Sequence, residues 1–588
     1  MNTHIMALWG YLSRQHKKQF LLIFILMIIS SLAEIISVGA IFPFLGVLTA
    51  PEHIYSHSLM QPVIKILGIT SSEQLFLPLV ISFVISVVVA GVLRVFLLYV
   101  INRFEQLIGT EFSAHIYRRT LYQDYATHIG HNSSEIISSI ISKVNIVIKG
   151  VIIPVLELLS SSLSLFGIMF ILVFIDYKIA LVSFGIFGAI YWILYSFLHK
   201  KIIINSQYIS SGSTNTIKAL QEGLGGIRDI LIDSNQEFYC KLFIQADTPY
   251  RRAISDNNFI SYAPRFVIET LGLVLISGLA YYLSQQKDGI SVAIPMLGLL
   301  AMAAQRLMPA IQKIYSSVTS IKGSYYSVKD ILYLLDQPIS SYIDQQQLSI
   351  VPFKKDIKLD NVWFRYNKKT PWILKEVNLT FNKGSRIGFV GETGRGKSTL
   401  LDLVMGLLSP TKGHLKIDSK IVSMNNIRLW QSHIAHVPQN IYLSDGTIEE
   451  NIAFGIPADK IDAESVKKVA ELANISKFID SCAQGYKTFV GERGVRLSGG
   501  QRQRIGIARA LYKSADVLIF DEATNALDVE TESAIMESIE KLGKNLTIFI
   551  ITHRVATLKA CDLIVELDKD CTINIKKYQD IVRPLNNS

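Results

Sequence analysis

The chain is 588 residues long, 50% hydrophobic, with a mean hydropathy of +0.34 and a formal charge of +10. It is too long for one ordinary domain and too apolar for a soluble one, so at least two domains are needed, one of them in lipid. The positive charge is spread along the chain and concentrates between apolar runs, as in the cytosolic loops of membrane proteins, which argues against nucleic acid as a partner.

Apolar runs at residues 20–48, 75–101, 151–175, 179–198, 263–284 and 289–311 are each long enough to cross a ~30 Å hydrocarbon layer as a helix. The first is longer than a signal-peptide core and has no small-residue cleavage site after it, so it is expected to stay in the mature protein. Only Asp176, Tyr177 and Lys178 separate the third and fourth runs, which predicts a tight helical hairpin. An even number of spans returns the chain to its starting side. Arg14, Lys17 and Lys18 precede span one, Arg103, Arg118, Arg119 and Lys143 follow span two, and Lys200, Lys201, Lys218, Arg228, Lys241, Arg251 and Arg252 follow span four. The opposite loops offer only Lys65, Lys178 and Lys287, so positive-inside bias predicts a multi-pass protein with both termini in the cytosol. The loops at 103–149 and 199–262 have helical patterning and, folded back as hairpins, would reach roughly 30 to 45 Å beyond the membrane. Cys240, Cys482, Cys561 and Cys571 show no C-x-x-C spacing, fall in cytosolic segments, and read as reduced, packed thiols.

Beyond about residue 330 the apolar runs shorten and charge rises. Residues 336–349, with Gln345, Gln346 and Gln347, read as a linker. Short strands at 357–366, 386–390, 517–521 and 547–552 then alternate with helical stretches, which predicts a mostly parallel sheet with helices on its faces. Gly391, Glu392, Thr393, Gly394, Arg395, Gly396, Lys397 and Ser398, followed by Thr399, match G-x-x-x-x-G-K-[ST] between a strand and an apolar helix. In that setting backbone N–H groups curl around a polyphosphate, Lys397 reaches its β and γ oxygens, and Ser398 can hold Mg²⁺. The expected organisation is a membrane domain over 1–330, a linker over 331–350 and an α/β P-loop nucleotide-binding domain over 351–588.

Further along come Leu497, Ser498, Gly499, Gly500 and Gln501, then Asp521 and Glu522 at the end of an apolar strand, then Thr552, His553 and Arg554. In this order the motifs resemble the nucleotide-binding domain of ABC transporters over nearly all of 357–570. The resemblance implies ATP and Mg²⁺ as cofactors. It implies adenine stacking for Tyr366, a Mg²⁺- and water-sensing role for Gln439, Mg²⁺ binding for Asp521, general-base work for Glu522 and a γ-phosphate contact for His553. Ser498, Gly499, Gly500 and Gln501 would close on ATP held by a second subunit, which implies a dimer. Two positions depart from the family pattern: Asn525 stands where serine is common, and no glycine turn precedes Cys571.

Six spans before one cassette resemble the type I ABC exporter half-transporter, with residues 125–133 and 231–237 similar to coupling helices that dock on the cassettes. Residues 33–43 and the amphipathic stretch at 54–67 resemble bacterial lipid-linked oligosaccharide flippases and polysaccharide exporters. That implies a homodimeric flippase of an amphipathic, lipid-linked substrate, in contact with membrane lipids of a bacterial inner membrane. Lipid A-type glycolipids, hydrophobic drugs or peptides are the alternative cargoes, and an ATP-gated regulator is the alternative class. Arg94, Arg265 and Arg306 lie within spans, where arginine is costly. Either they pair with Glu34, Glu157 or Glu269 or anchor the cytosolic side, or they converge on a water-filled cavity and bind the pyrophosphate of a lipid-linked sugar.

Overall fold

The computed structural model of the chain describes residues 2–49, 51–56, 60–61, 64–65, 69–175, 177–284, 307–337, 353–523, 528–540, 545–568 and 573–580. The chain divides into two compact units, Met1–Tyr122 with His131–Pro338, and Gln123–Gly130 with Ile339–Ser588.

The first unit is a helical, membrane-spanning region. Its Arg14–Gly39 helix is capped by Ser13, whose side chain accepts from the His16 N–H. One face exposes Leu21, Leu22, Ile25, Ile29, Leu32 and Ile36 at helical spacing, the stripe expected against lipid, while Ile23, Met27, Ser30, Ser31 and Glu34 are buried on the other. The helix stops at Ala40 and restarts as Ile41–Thr49, with Pro43, which has no amide to donate, in its first turn. Phe76–Leu121 is one unbroken helix of 46 residues. At about 69 Å it is more than twice as long as the hydrocarbon is thick, so the first part of the stretch read as a loop after residue 103 is the same helix continued. Among the described residues three helices are long and apolar enough to cross a membrane: Arg14–Gly39, Phe76–Leu121 and Ser133–Phe170. The expected spans four and five lie inside the 49-residue helices Tyr177–Gly225 and Gln236–Ser284. Asp176 and most of the sixth run fall outside the described residues.

The helical run from Ser133 to Ile175 contains two wide π turns, Ser139–Lys143 and Ile148–Ile152, in which the Val144 and Ile153 N–H groups reach back five residues to the carbonyls of Ser139 and Ile148. The first places Lys143 Nζ 2.7 Å from Asp330 Oδ2, an oxygen that also accepts from Ser210 Oγ. The short helix Tyr125–Gly130 groups with the second unit. The second short helix is Ile227–Ile232, upstream of the expected 231–237, because the chain breaks at Gly226 and turns again at Ser234, whose φ is 56°. Cys240, Cys482 and Cys561 are free thiols, but Cys240 is exposed on the Gln236–Ser284 helix rather than packed; Cys571 lies outside the described residues.

The second unit holds ten strands among its described residues: β1 Asp356–Phe364, β2 Leu374–Asn382, β3 Arg386–Val390, β4 Lys412–Ile417, β5 Lys420–Ile421, β6 Ile434–Val437, β7 Val517–Asp521, β8 Thr547–Ile551, β9 Leu563–Leu567 and β10 Ile573–Lys576. Six form a sheet in the order β10-β9-β3-β8-β7-β6, parallel except at the β10 edge. A separate antiparallel sheet, β2-β1-β4-β5, was not anticipated from sequence. β1 and β2 alternate buried and exposed positions along much of their length, and the β2 inner face packs on the parallel sheet through Phe381 against Phe389 and Phe549. The edges of β3, β7 and β8 that point toward the functional motifs are their carboxyl ends, where open α/β sheets bind ligands.

His436 on β6 is half-buried and its Nε2, itself enclosed, has no hydrogen-bond partner; desolvation pushes its pKa down to about 4. The folded chain therefore binds fewer protons here than the unfolded chain below pH ~6.5, so this contribution to stability is complete above that pH and lost as pH falls toward 4. At pH 5 the loss is about 2 kcal/mol. His436→Leu should remove that part of the acid sensitivity, read as the difference in thermal unfolding between pH 7 and pH 5 for the two proteins. Buried carboxyls such as Asp402, which act in the opposite direction, cancel in that difference.

Candidate active site

The loop after β3 is shaped by backbone geometry that side chains resist. Gly391 has φ +138°, and a Cβ there would lie 2.7 Å from the Leu567 carbonyl oxygen. Gly396, also left-handed, caps the helix Lys397–Val404. The helix N-terminus therefore opens onto the loop, with amides free to face an anion. Lys397 is buried, and its Nζ donates to the carbonyls of Gly391 and Glu392 at 2.6 and 3.1 Å. Burial lowers the pKa of its ammonium, while Glu522 and Asp521 pull it back up. Ser398 Oγ donates to Asp521 Oδ1 at 3.4 Å. A hydroxyl beside a carboxylate is an oxygen donor set suited to Mg²⁺. Glu392 and Arg395 pair across the loop mouth at 2.5 Å.

Asp521 ends β7 and Glu522 follows it in a left-handed conformation, φ 51°, its N–H donating to the Ile551 carbonyl at 3.1 Å. Such a backbone in a non-glycine residue is costly and is commonly found at functional sites. It brings the Glu522 carboxylate between Gln439, whose Nε2 donates to Oε2 at 2.9 Å, and His553, whose Nε2 lies 3.1 Å from Oε1. Three segments, after β6, β7 and β8, thus meet on one carboxylate. Burial and the neighbouring Glu522 raise the Asp521 pKa, against the pull of Ser398 and Lys397. Tyr366 stands two residues past β1, half exposed, with its hydroxyl 3.3 Å from Thr399 Oγ1.

Ser498 and Gln501 form a reciprocal capping box on the helix Gly499–Tyr512: Ser498 Oγ accepts from the Gln501 N–H at 3.2 Å and Gln501 Oε1 from the Ser498 N–H at 2.8 Å. The cap leaves the amides of Gly499 and Gly500 at the helix N-terminus for another partner. The S-x-x-Q spacing is the sequence signal for such a cap. Asp402 was not singled out there; burial, with Asp521 adding, raises its pKa to about 6. Asn525 lies outside the described residues.

Of the intramembrane arginines, Arg94 donates to Glu34, which also accepts from Ser164 Oγ at 2.9 Å. Arg265 Nε lies 3.9 Å from Glu269 Oε2 one turn away, and Glu157 is within 3.4 Å of Lys313 instead. Pairing with acids is thus what the structure shows for Arg94 and Arg265, and Arg306 lies outside the described residues.

Gly391→Ala should cost roughly 1–3 kcal/mol of stability, because a side chain at that φ meets backbone that cannot swing away. It should also abolish binding of a fluorescent ATP analogue; wild-type affinity in that variant would contradict the loop geometry.

The ABC transporter family profile matches residues 374–525, which contain the P-loop, the capping box and Glu522. The chain is 30% identical to YgaD of Bacillus subtilis (strain 168), named as a multidrug export ATP-binding/permease protein, over 76% of this chain and 77% of that one. It is 28% identical to an ATP-dependent lipid A-core flippase of Alkalilimnicola ehrlichii over 71% of each chain. The fold superimposes on a bacterial Atm1-family ABC exporter with ATP bound at a TM-score of 0.78 and 21% identity, covering 97% of this chain and 96% of that one. A P-loop site of this geometry in the same chain as a helical membrane-spanning region, with relatives of that extent, makes the chain an ATP-binding and ATP-hydrolysing member of the ABC transporter family, of the exporter type.

Proposed function

We propose that two copies of this chain form a type I exporter, each contributing six spans over 1–330, a linker over 331–350 and a cassette over 351–588. ATP hydrolysis drives an amphipathic, lipid-linked oligosaccharide across a bacterial inner membrane, with both termini and the cassette in the cytoplasm. The observation that carries the hydrolytic half is the Glu522 carboxylate held between Gln439 and His553, one residue from Asp521. A carboxylate fixed in this way accepts a proton from a water aimed at the γ-phosphate. Gln439 and His553 orient it, Lys397 binds phosphate oxygens, Tyr366 stacks on adenine, and Ser398 and Asp521 hold Mg²⁺, which supplies charge neutralisation at the phosphates. Ser498, Gly499, Gly500 and Gln501 close on the nucleotide of the other copy.

For the cargo, the supporting feature is Arg94. Its side chain is 59% exposed while bonded to Glu34, so part of a planar, always-charged fork stays available to phosphate oxygens. Arg265, equally exposed beside Glu269, and Arg306 complete the proposed headgroup contacts. A lipid A-type glycolipid is the second reading, favoured by the similarity to chains named lipid A-core flippases.

Glu522→Gln should keep ATP affinity and lose turnover by at least ~10²-fold, while Lys397→Ala should weaken binding itself. Steady-state hydrolysis by purified Glu522→Gln near the wild-type rate would sink the assignment. The chain purified alone in nanodiscs should run as a dimer with ATPase activity; a monomer active only with a coexpressed homologue would remove the homodimer. In proteoliposomes, Arg94→Ala should abolish flipping of a polyprenyl-pyrophosphate sugar while basal ATPase persists. Unchanged transport of that lipid, or transport of lipid A-type glycolipid alone, would overturn the first cargo reading.

A further inference from the structure

Gln439 begins a loop that runs to Ser444, and this loop lies along the helix Gly499–Tyr512. They touch at Gly506: a Cβ there would sit 2.0 Å from Ile441 Cδ1 and 3.2 Å from its Cγ1 and Cγ2, so a side chain at 506 would displace Ile441. One turn further, Arg509 Nη1 donates to the Tyr442 carbonyl at 2.8 Å. The same guanidinium reaches the Asn451 carbonyl through Nε at 2.8 Å and Asn451 Oδ1 through Nη2 at 3.2 Å, and lies 4.5 Å from the centre of the Phe454 ring. Asn451 is fully buried and closes the loop's far end: its Oδ1 accepts from the Ser444 N–H at 2.9 Å, and its Nδ2 donates to the Ser444 and Thr447 carbonyls at 3.0 Å each. Gly499, Arg502 and Gln503 on the same helix line a cavity of about 450 Å³ with Gln439 and Tyr442.

A half-buried, multiply bonded guanidinium is a rigid joint, since losing one bond costs a charged N–H group a fitted partner. The loop therefore moves with the helix. One end of that helix carries Ser498, Gly499 and Gly500; the loop it holds carries Gln439, 2.9 Å from Glu522.

We propose that Arg509 is a positioning residue that, with Gly506 and Asn451, clamps the Gln439 loop to the helix headed by Ser498, so that engagement of the second copy's nucleotide at that helix sets Gln439 against Glu522 in this copy. The two ATP sites of the dimer are then mechanically linked inside each cassette. The inference rests on the roles assigned above to Gln439 and to residues 498–500.

The test is ATPase kinetics of the full-length protein in nanodiscs. Arg509→Lys keeps the charge but not the three-way fork, and should lower kcat about tenfold, leave KM for ATP within twofold, and bring the Hill coefficient toward 1. Gly506→Ala, which wedges the loop off the helix with every charge intact, should give the same pattern. Adding Ile441→Ala to Gly506→Ala makes room for the new methyl and should restore both kcat and cooperativity. If Arg509→Lys and Gly506→Ala lower only the thermal midpoint, with kcat and Hill coefficient within twofold of wild type, the clamp is merely structural and the proposal falls. Failure of Ile441→Ala to rescue also counts against it. Gln439→Ala in the same assay separates the two layers. Loss of kcat there without loss in Arg509→Lys overturns the clamp alone, whereas wild-type kcat in Gln439→Ala overturns the Gln439 assignment and the clamp with it.

Discussion

In hydrocarbon an unpaired backbone N–H or C=O costs several kcal/mol, so a chain that enters lipid must satisfy every one of them within its own segment. That constraint makes the apolar segments helical, and Phe76–Leu121, Tyr177–Gly225 and Gln236–Ser284 continue as the same helices where the sequence turns polar. The cassette uses the opposite arrangement. At Gly391, Gly396 and the Gly499–Gly500 helix start, amides are turned outward and left for an anion. Spanning and nucleotide binding are thus two responses to one requirement.

Charge follows the same logic. Asp521, Glu522 and Asp402 crowd one end of the parallel sheet, with Lys397 the cation among them. Burial disfavours the charged forms of Asp521, Asp402 and Lys397, so the cluster is arranged to gain from a divalent cation and a phosphate chain arriving together. In the membrane region Glu34 is buried but answered by Arg94 and Ser164, and in the helices beyond it Asp330 by Lys143 and Ser210.

Contiguous strings were legible in the sequence. The P-loop could be read from Gly391 to Ser398 because its chemistry is local, and the strands bearing Asp521 and His553 fell within a residue or two of their positions. What sequence could not supply was pairing over distance and helical phase. Glu34 and Arg94 are sixty residues apart, so only the packing of two helices could decide between an internal partner and an open guanidinium. Cys240 was expected to be packed because nothing local indicates which side of a 49-residue helix it occupies. The antiparallel sheet was not legible because β4 and β5 are short and charged, with only Leu415 buried between them.

The two π turns between Ser133 and Ile175 change what a helical wheel of that segment means. Each accommodates one residue more than an α turn, and an added residue rotates everything after it by about 100°, so the two together shift the phase by roughly half a turn. Buried positions run on through both turns, Ser139, Lys143, Val147, Val151 and Pro154 among them, so the same side of the run stays covered. A single run of residues can in this way keep one side against its neighbours while obeying two hydrophobic registers, one before the turns and one after them. Loss of one residue within either turn would therefore be absorbed as ordinary α-helix locally, and felt as a misdirected face at the far end.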